Sequence, residues 1–478
     1  MKILFAASEV APFIKTGGLA DVAGSLPVAL AKSGHDVRVV LPLYEKIGPM
    51  WREQMTFLRR FTVTLAWRNA YCGVFELERD GVTYWFVDNE YYFKRADIYG
   101  HFDDGERFGF FSRAIVELPG QLDWVPDVIH CNDWQTAPVP IYLMEADRIA
   151  PCLTKTKTVF TIHNIEYQGR YVRGTLEDVF GLNASYFHEE LLAYHGDVNL
   201  MKGAIYAADF VTTVSPTYAQ ELREPFYAHG LDGVIAVNSH KLRGILNGID
   251  TDLYDPKQDQ NLPKNFSARY PQGKKTCKAA LQKGLGLNEN PDVPIIACVS
   301  RLVSHKGFDL VTEVIHDIMG LDAQMVVLGT GEWKFEEVFR QMESQYPGRF
   351  AARLLYSNEL ASAIYAGADL FLMPSIAEPC GLSQIIAMRY GTIPVVRETG
   401  GLKDTVIPYT CENGTGFTFA NVNAHDMLWV LRQAVETYHN DKDAWKALMK
   451  HAMTADFGWA RSAAEYTEIY EQITGGTL

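Results

Sequence analysis

The residues with the clearest chemical possibilities are cations and a carboxylate set beside glycine turns. Ser300-Arg301-Leu302-Val303-Ser304-His305-Lys306-Gly307 places a guanidinium and an ammonium five residues apart on one loop, after an apolar run at 295–299. A planar fork suits phosphate oxygens, and a compact ammonium suits an oxygen on which negative charge develops. Lys15-Thr16-Gly17-Gly18-Leu19-Ala20-Asp21 and, far downstream, Glu398-Thr399-Gly400-Gly401-Leu402-Lys403-Asp404 repeat the pattern T-G-G-L-x-D. A glycine pair between strand and helix turns sharply and leaves amide N–H groups unshielded. With the positive end of a helix expected from Leu19 or Leu402, each turn can hold an anion. Either turn alone also reads as an ordinary strand-to-helix bend, and Arg301 and Lys306 as solvated loop charges. Occurring twice, the turns imply a phosphate-bearing ligand held between two similar halves.

Met373-Pro374-Ser375-Ile376-Ala377-Glu378-Pro379-Cys380-Gly381-Leu382 sets a carboxylate before a proline turn expected to open a helix. The simplest role for Glu378 there is an N-terminal charge favoured by the helix dipole. Cys380 reads as a small buried thiol, with no base placed by sequence to activate it. In the first half two apolar runs end in polar residues, at Asn132-Asp133-Trp134 and at His163-Asn164. Asp133 and His163 suit sugar hydroxyls, with Trp134 or a nearby Tyr as a flat face; the alternative for each is a satisfied structural hydrogen-bonder. Gly329-Thr330-Gly331 starts like a dinucleotide fingerprint, but Lys334 stands where the third glycine belongs. Asp250-Thr251-Asp252 has the D-x-D form of metal-dependent sugar transferases, yet it heads a connector, and no metal is assigned to it.

Short β-branched runs alternating with helical patterns must position these groups, which predicts parallel sheets built from βαβ units. Strands are expected at 2–7, 37–41, 84–87, 128–130, 158–162 and 210–214, then at 295–299, 324–328, 353–356, 370–373, 393–396 and 416–419. Helices are expected at 308–319, 334–345, 359–366, 424–438 and 459–473. An aromatic-rich stretch at 165–200 reads as a helical insertion. A polar, proline-bearing connector at 250–275 marks a boundary. The expected domains are 1–246, 247–456 and a tail helix at 457–478.

At 478 residues the chain is too long for one core, and 47% hydrophobic with 21% charged residues is a globular composition. A net charge of -14 argues against nucleic acid or anionic membrane as partner, so an anionic substrate needs a local basic cluster. Seven scattered Cys without C-x-x-C read as reduced thiols, and no apolar run reaches the ~20 residues of a membrane helix. A cytoplasmic protein is expected.

Taken together, these segments resemble the bacterial glycogen synthases and plant starch synthases, retaining glucosyltransferases of the GT-B type. The matching segments are K-T-G-G-L-A-D-V from Lys15, H-x-x-D-W from His130, H-N-x-x-Y-Q-G from His163 and N-G-I-D from Asn247. Downstream follow S-R-L-x-x-x-K-G from Ser300, E-P-C-G-L from Glu378 and T-G-G-L-x-D-T-V from Thr399. They occur in family order over nearly the whole chain.

The resemblance implies an α/β fold of two Rossmann-like domains with parallel sheets facing across a deep cleft. It implies transfer of glucose from ADP-glucose to the non-reducing end of an α-1,4-glucan such as glycogen, with retention and with neither cofactor nor metal. By motif, Lys15, Gly18, Arg301, Lys306 and the Thr399, Gly400, Gly401 turn would hold the diphosphate, and Glu378 would meet the glucose hydroxyls. His163 and Asp133 would serve the sugar or acceptor. Asp21, Asn247, Tyr356, Cys380, Gly381 and Leu382 would also contact substrate. The tail helix would pack on the first domain. Where many such enzymes carry a second Glu for the ribose, eight residues after the first, this chain has Ile386; Gln384 is the residue these synthases tend to show nearby. Two alternatives stay open: a related transferase using UDP-glucose or another acceptor, and a non-catalytic glucan-binding protein.

Overall fold

A computed structural model describes residues 1–475. They divide into two compact units: Met1–Gly248 with the tail helix Trp459–Thr474, and Ile249–Gly458. The chain thus passes between units two residues beyond each boundary read from composition.

The first unit contains β1 (Lys2–Ala6), β2 (Asp36–Pro42), β3 (Thr56–Leu65), β4 (Arg68–Arg79), β5 (Val82–Asp88), β6 (Val128–Asn132), β7 (Lys157–Ile162), β8 (Arg170–Val172), β9 (Ala193–Tyr194), β10 (Asp197–Asn199), β11 (Phe210–Thr213) and β12 (Leu242–Gly244). Nine form one sheet in the order β12-β11-β7-β6-β1-β2-β5-β4-β3. The strands from β12 to β5 run parallel, and β4 and β3 add an antiparallel margin. The central strand β1 is apolar along Ile3, Leu4, Phe5 and Ala6, all fully buried, because helices cover both faces of a parallel sheet.

The β3–β4 hairpin was not legible in sequence. As an edge strand, β3 is mostly exposed, and Arg59 and Arg60 interrupt its apolar pattern. The 165–200 stretch is not the continuous helical insertion expected; its helix is confined to the single turns Thr175–Asp178 and Ala184–Tyr186. Gly169, Gly181 and Gly196, all at positive φ, cut it into a small antiparallel sheet β8-β10-β9 and short turns. The tail helix buries Ala463, Tyr466, Ile469 and Tyr470 in this unit, and Tyr470 Oη lies 2.7 Å from His130 Nδ1.

The second unit contains β13 (Ile295–Val299), β14 (Gln324–Leu328), β15 (Phe350–Arg353), β16 (Leu370–Met373), β17 (Ile393–Arg397) and β18 (Phe417–Phe419). All are parallel, in the order β15-β14-β13-β16-β17-β18. Both sheets grow outward from their first strand and then reverse. The reversal points, β1 against β6 and β13 against β16, are where open α/β sheets bind ligands at their strand ends.

Three sequence expectations shift here. The third strand ends at Arg353, before Tyr356. The 308–319 helix breaks into Phe308–Glu313 and Ile315–Met319, because the β-branched Val314 sits at φ -115, ψ 20. The connector ends early, since a helix Gln272–Leu285 forms where Cys277, Leu281 and Leu285 recur at helical spacing on a buried face.

Candidate functional site

In the second unit the loop after β13 ends in one tight turn, Ser304–Lys306, followed by Gly307 at φ +80. A Cβ on Gly307 would stand 2.0 Å from Pro374 O, so this loop lies directly against the loop after β16. That approach brings Lys306 to Glu378. The ammonium donates to both carboxylate oxygens, at 2.8 and 2.7 Å, and Ser375 Oγ donates to Oε2 at 2.9 Å. Glu378 is buried and Lys306 nearly so, which strengthens the pair relative to a surface one. Arg397 holds the loop from beneath, donating through Nε to Ser375 O at 2.8 Å, through Nη1 to Ala420 O at 3.2 Å and through Nη2 to Ile376 O. Lys306 and Glu378 therefore straddle the β13/β16 reversal point. Arg301, at the start of the same loop, is exposed, and its guanidinium has no hydrogen bond or ion pair among the described residues. Tyr356 is exposed on the loop beyond β15, its hydroxyl donating to Asn358 Oδ1 at 2.9 Å.

Two expectations are corrected at this point. Glu378 does not open a helix; the next one is Ser383–Arg389, and residues 378–382 form an irregular loop. Nor is the second glycine turn an open anion cradle. Gly401 N donates to Glu378 O at 3.1 Å and Pro379 O at 3.2 Å, while Thr399 N donates to Arg397 O. Cβ atoms on Gly400 and Gly401 would lie 2.0 Å from Glu378 O and 2.1 Å from Cys380 O. The glycines are there because two backbones touch. The helix they open begins at Gly400, and its counterpart in the first unit at Gly18, one or two residues ahead of the leucines.

In the first unit the N–H groups of the glycine turn have a different occupant. Glu9 Oε2 accepts from Thr16 N at 2.5 Å, Thr16 Oγ1 at 2.6 Å and Gly17 N at 3.1 Å. Burial raises the Glu9 carboxyl above its usual range, against those three hydrogen bonds. Lys15 pairs with Asp21 at 2.7 Å on the partly exposed rim. Glu9 was missed in sequence although it follows β1, the same strand-end signal that singled out Asp133.

Asp133 follows β6 in a left-handed conformation, φ +55. Its Oδ1 accepts from His163 N at 2.8 Å and Asn164 N at 3.3 Å, yet burial still pushes its carboxyl up to about 7. His163 follows β7; burial lowers its imidazole to about 3, so it is neutral. Its Nε2 lies 2.8 Å from Asn132 Oδ1, and Asn132 Nδ2 donates to Ala6 O at 3.0 Å. Because that oxygen only accepts, Nε2 carries the proton and Nδ1 is left as an acceptor. Asn247 is buried, and its Oδ1 has no hydrogen-bond partner among the described residues. Trp134 offers no flat face: it is packed against Phe108 and Tyr171, and a Cβ on Gly169 would come within 2.7 Å of its ring. Tyr167 is the half-exposed aromatic nearby in sequence.

Cys380 is buried, and Gly381 and Leu382 are half-buried on the Glu378 loop. Ile386 is buried in the helix, and Gln384 is fully buried with its amide bonded to loop carbonyls, so neither presents a polar group to a ribose. Asp250 Oδ1 accepts from the N–H groups of Asp252 and Leu253, the geometry of a capped turn.

Known proteins resemble the chain over nearly its whole length. Residues 2–237 match the starch synthase catalytic domain model, and residues 285–448 the glycosyl transferases group 1 model. The chain is 51% identical to a glycogen synthase of Geobacillus thermodenitrificans, covering 99% of this chain and 98% of that protein. It is 48% identical to a glycogen synthase of Bacillus cereus, covering 99% and 100%. Among solved structures, the catalytic domain of starch synthase IV from Arabidopsis thaliana, bound to ADP and acarbose, superposes with a TM-score of 0.92 at 36% identity over 99% of each chain. Sucrose-phosphate synthase from Thermosynechococcus elongatus shares the fold, with a TM-score of 0.63 at 17% identity over 100% of each chain.

Proposed function

The chain belongs to the glycogen synthase family of glycosyltransferases, with the two-unit α/β fold of the GT-B class, and from that premise we propose how it works. The reaction is transfer of glucose from ADP-glucose to the non-reducing end of an α-1,4-glucan, with retention at the anomeric carbon and without a metal or other cofactor. The observation that carries this reading is the Lys306–Glu378–Ser375 group at the β13/β16 reversal point. Without donor, the ammonium and the carboxylate neutralise each other. A diphosphate oxygen takes the place of Glu378 on Lys306, which releases the carboxylate to accept hydrogen bonds from glucose hydroxyls. Arg301, its guanidinium exposed and without a partner among the described residues, supplies the second cation on the same loop. Fixed cations that meet the charge growing on departing ADP stabilise the transition state, commonly the largest catalytic term.

The anomeric C–O bond to phosphate breaks as the acceptor hydroxyl bonds to the same face, and the hydroxyl proton passes to a phosphate oxygen. No side chain needs to act as nucleophile. Asp133 and the acceptor nitrogen of neutral His163 are assigned to sugar hydroxyls. Gly18, Asp21, Asn247, Tyr356 and the Cys380–Gly381–Leu382 backbone are assigned to donor or acceptor contacts. The ADP in the Arabidopsis relative favours an adenine nucleotide here. The second glycine turn serves the site by packing on the Glu378 loop. A cytoplasmic location belongs to the same proposal, in keeping with seven free cysteines and with no helix among the described residues long and apolar enough to cross a membrane.

Labelled ADP-glucose and glycogen test the proposal: label is expected in polymer, far more slowly from UDP-glucose, and unchanged by EDTA. No incorporation would leave a silent glucan binder. A strict Mg²⁺ requirement would overturn the metal-free chemistry.

A further inference from the structure

Gln384 lies in the first turn of the Ser383–Arg389 helix and is completely buried. Its Nε2 donates to Gly381 O at 2.8 Å, Cys380 O at 3.2 Å and Thr405 Oγ1 at 3.1 Å. Thr405 Oγ1 in turn donates to Gly401 O at 2.6 Å. One side-chain amide thus ties the loop that carries Glu378 to the helix opened by the second glycine turn. Its own Oε1 has no hydrogen-bond partner among the described residues and lies where a Cβ on Gly381 would approach to 2.6 Å. An orphaned buried carbonyl is a cost that an apolar side chain of similar size would avoid. Retaining the amide therefore points to the loop geometry it imposes.

That geometry follows from the planar trans peptide, in which C=O and N–H point in opposite directions. Drawing the Cys380 and Gly381 carbonyls toward Gln384 turns the Gly381 and Leu382 N–H groups away from it. Neither N–H has a hydrogen-bond partner among the described residues, and both residues are half-buried beside Glu378. We infer that Gln384, backed by Thr405, is a positioning residue that fixes these two donors and Glu378 as one rigid set for the donor sugar's hydroxyls. The inference rests on the reading of Glu378 given above.

The test uses the full chain with ADP-glucose and glycogen. Gln384→Leu removes the amide at nearly constant volume; kcat is expected to fall roughly 10- to 100-fold, the usual cost of a misplaced site. The KM for glycogen is expected to stay near native, and kcat is read well below the melting temperature, which the lost hydrogen bonds are expected to lower by a few degrees. Thr405→Val should lower kcat in the same direction, Thr405→Ser should restore most of that loss, and the double variant Gln384→Leu/Thr405→Val should lose less than the two losses combined. Native kcat in Gln384→Leu, or a loss that only tracks a lower melting temperature, overturns the inference. If Gln384→Leu fails to fold, the Thr405→Val and Thr405→Ser pair decides, and equal kcat in those two overturns it. Glu378→Gln in the same assay separates the two levels. An inactive Glu378→Gln beside a native Gln384→Leu sinks this inference alone, whereas an active Glu378→Gln sinks the reading beneath it.

Discussion

The same six-residue pattern folds into two turns whose N–H groups have different occupants. In the first unit the Thr16 and Gly17 N–H groups point to the Glu9 carboxylate, and a Cβ on Gly17, at φ -148, would come no nearer than 3.5 Å to a neighbour. In the second unit Gly401 N is bonded to backbone carbonyls, and a Cβ at Gly400 or Gly401 would strike them near 2 Å. One turn is filled by a side chain, the other by the main chain of the loop that carries Glu378. The motif therefore specifies a bend; the neighbouring strand end decides what the bend holds.

The largest effect should come from the loop that the second turn supports. Glu378→Gln breaks the ion pair with Lys306, and incorporation of glucose into glycogen is expected to fall by roughly 10²–10³ in a folded protein. The glycines then separate the two turns directly. Gly401→Ala is expected to lose most activity and about 1–3 kcal/mol of stability by overpacking, whereas Gly17→Ala should stay near native in both. Circular-dichroism melts and initial rates on the two variants check this, and similar behaviour at both positions would dissolve the comparison.

Much of the frame was legible because buried parallel strands are continuous apolar runs: β1, β13, β14 and β16 lie close to where the pattern put them. Polar residues at strand ends led to Asp133 and His163 by the same logic. What escaped acts across the sequence. Ser375, Arg397 and Gln384 gain meaning only when distant loops meet, as Arg397 does on Ser375, 22 residues away, and Lys306 on Glu378, 72 away. Glu9 was overlooked because a carboxylate inside an anion-binding turn inverts the expected occupant. The β3–β4 hairpin was missed because an exposed edge strand shows no buried alternation.

The first unit's strand ends offer a smaller, pH-dependent effect. Asp133 titrates near 7 in the fold against an ordinary value of 3.8, because burial disfavours its charge. A carboxyl raised in this way contributes stability that is complete below about pH 4 and is lost as pH rises through 7. Asp133→Asn cannot ionise and keeps an oxygen for the His163 and Asn164 N–H groups. Its melting temperature should exceed the native one by a margin that widens from pH 4 to pH 7 and then levels, while its activity falls. A margin independent of pH would contradict the buried-carboxylate account.

Smallest is the change at the tail helix. Tyr470→Phe leaves His130 Nδ1 without its partner at 2.7 Å and should cost about 1–3 kcal/mol in denaturant unfolding with kcat unmoved.

The central claim is that Lys306 exchanges Glu378 for the donor's phosphate. Calorimetric titration of ADP into the Lys306→Met variant tests it most directly. Affinity at least roughly tenfold weaker than native is expected, the scale of one lost charge-assisted hydrogen bond; native affinity in that variant would contradict the account.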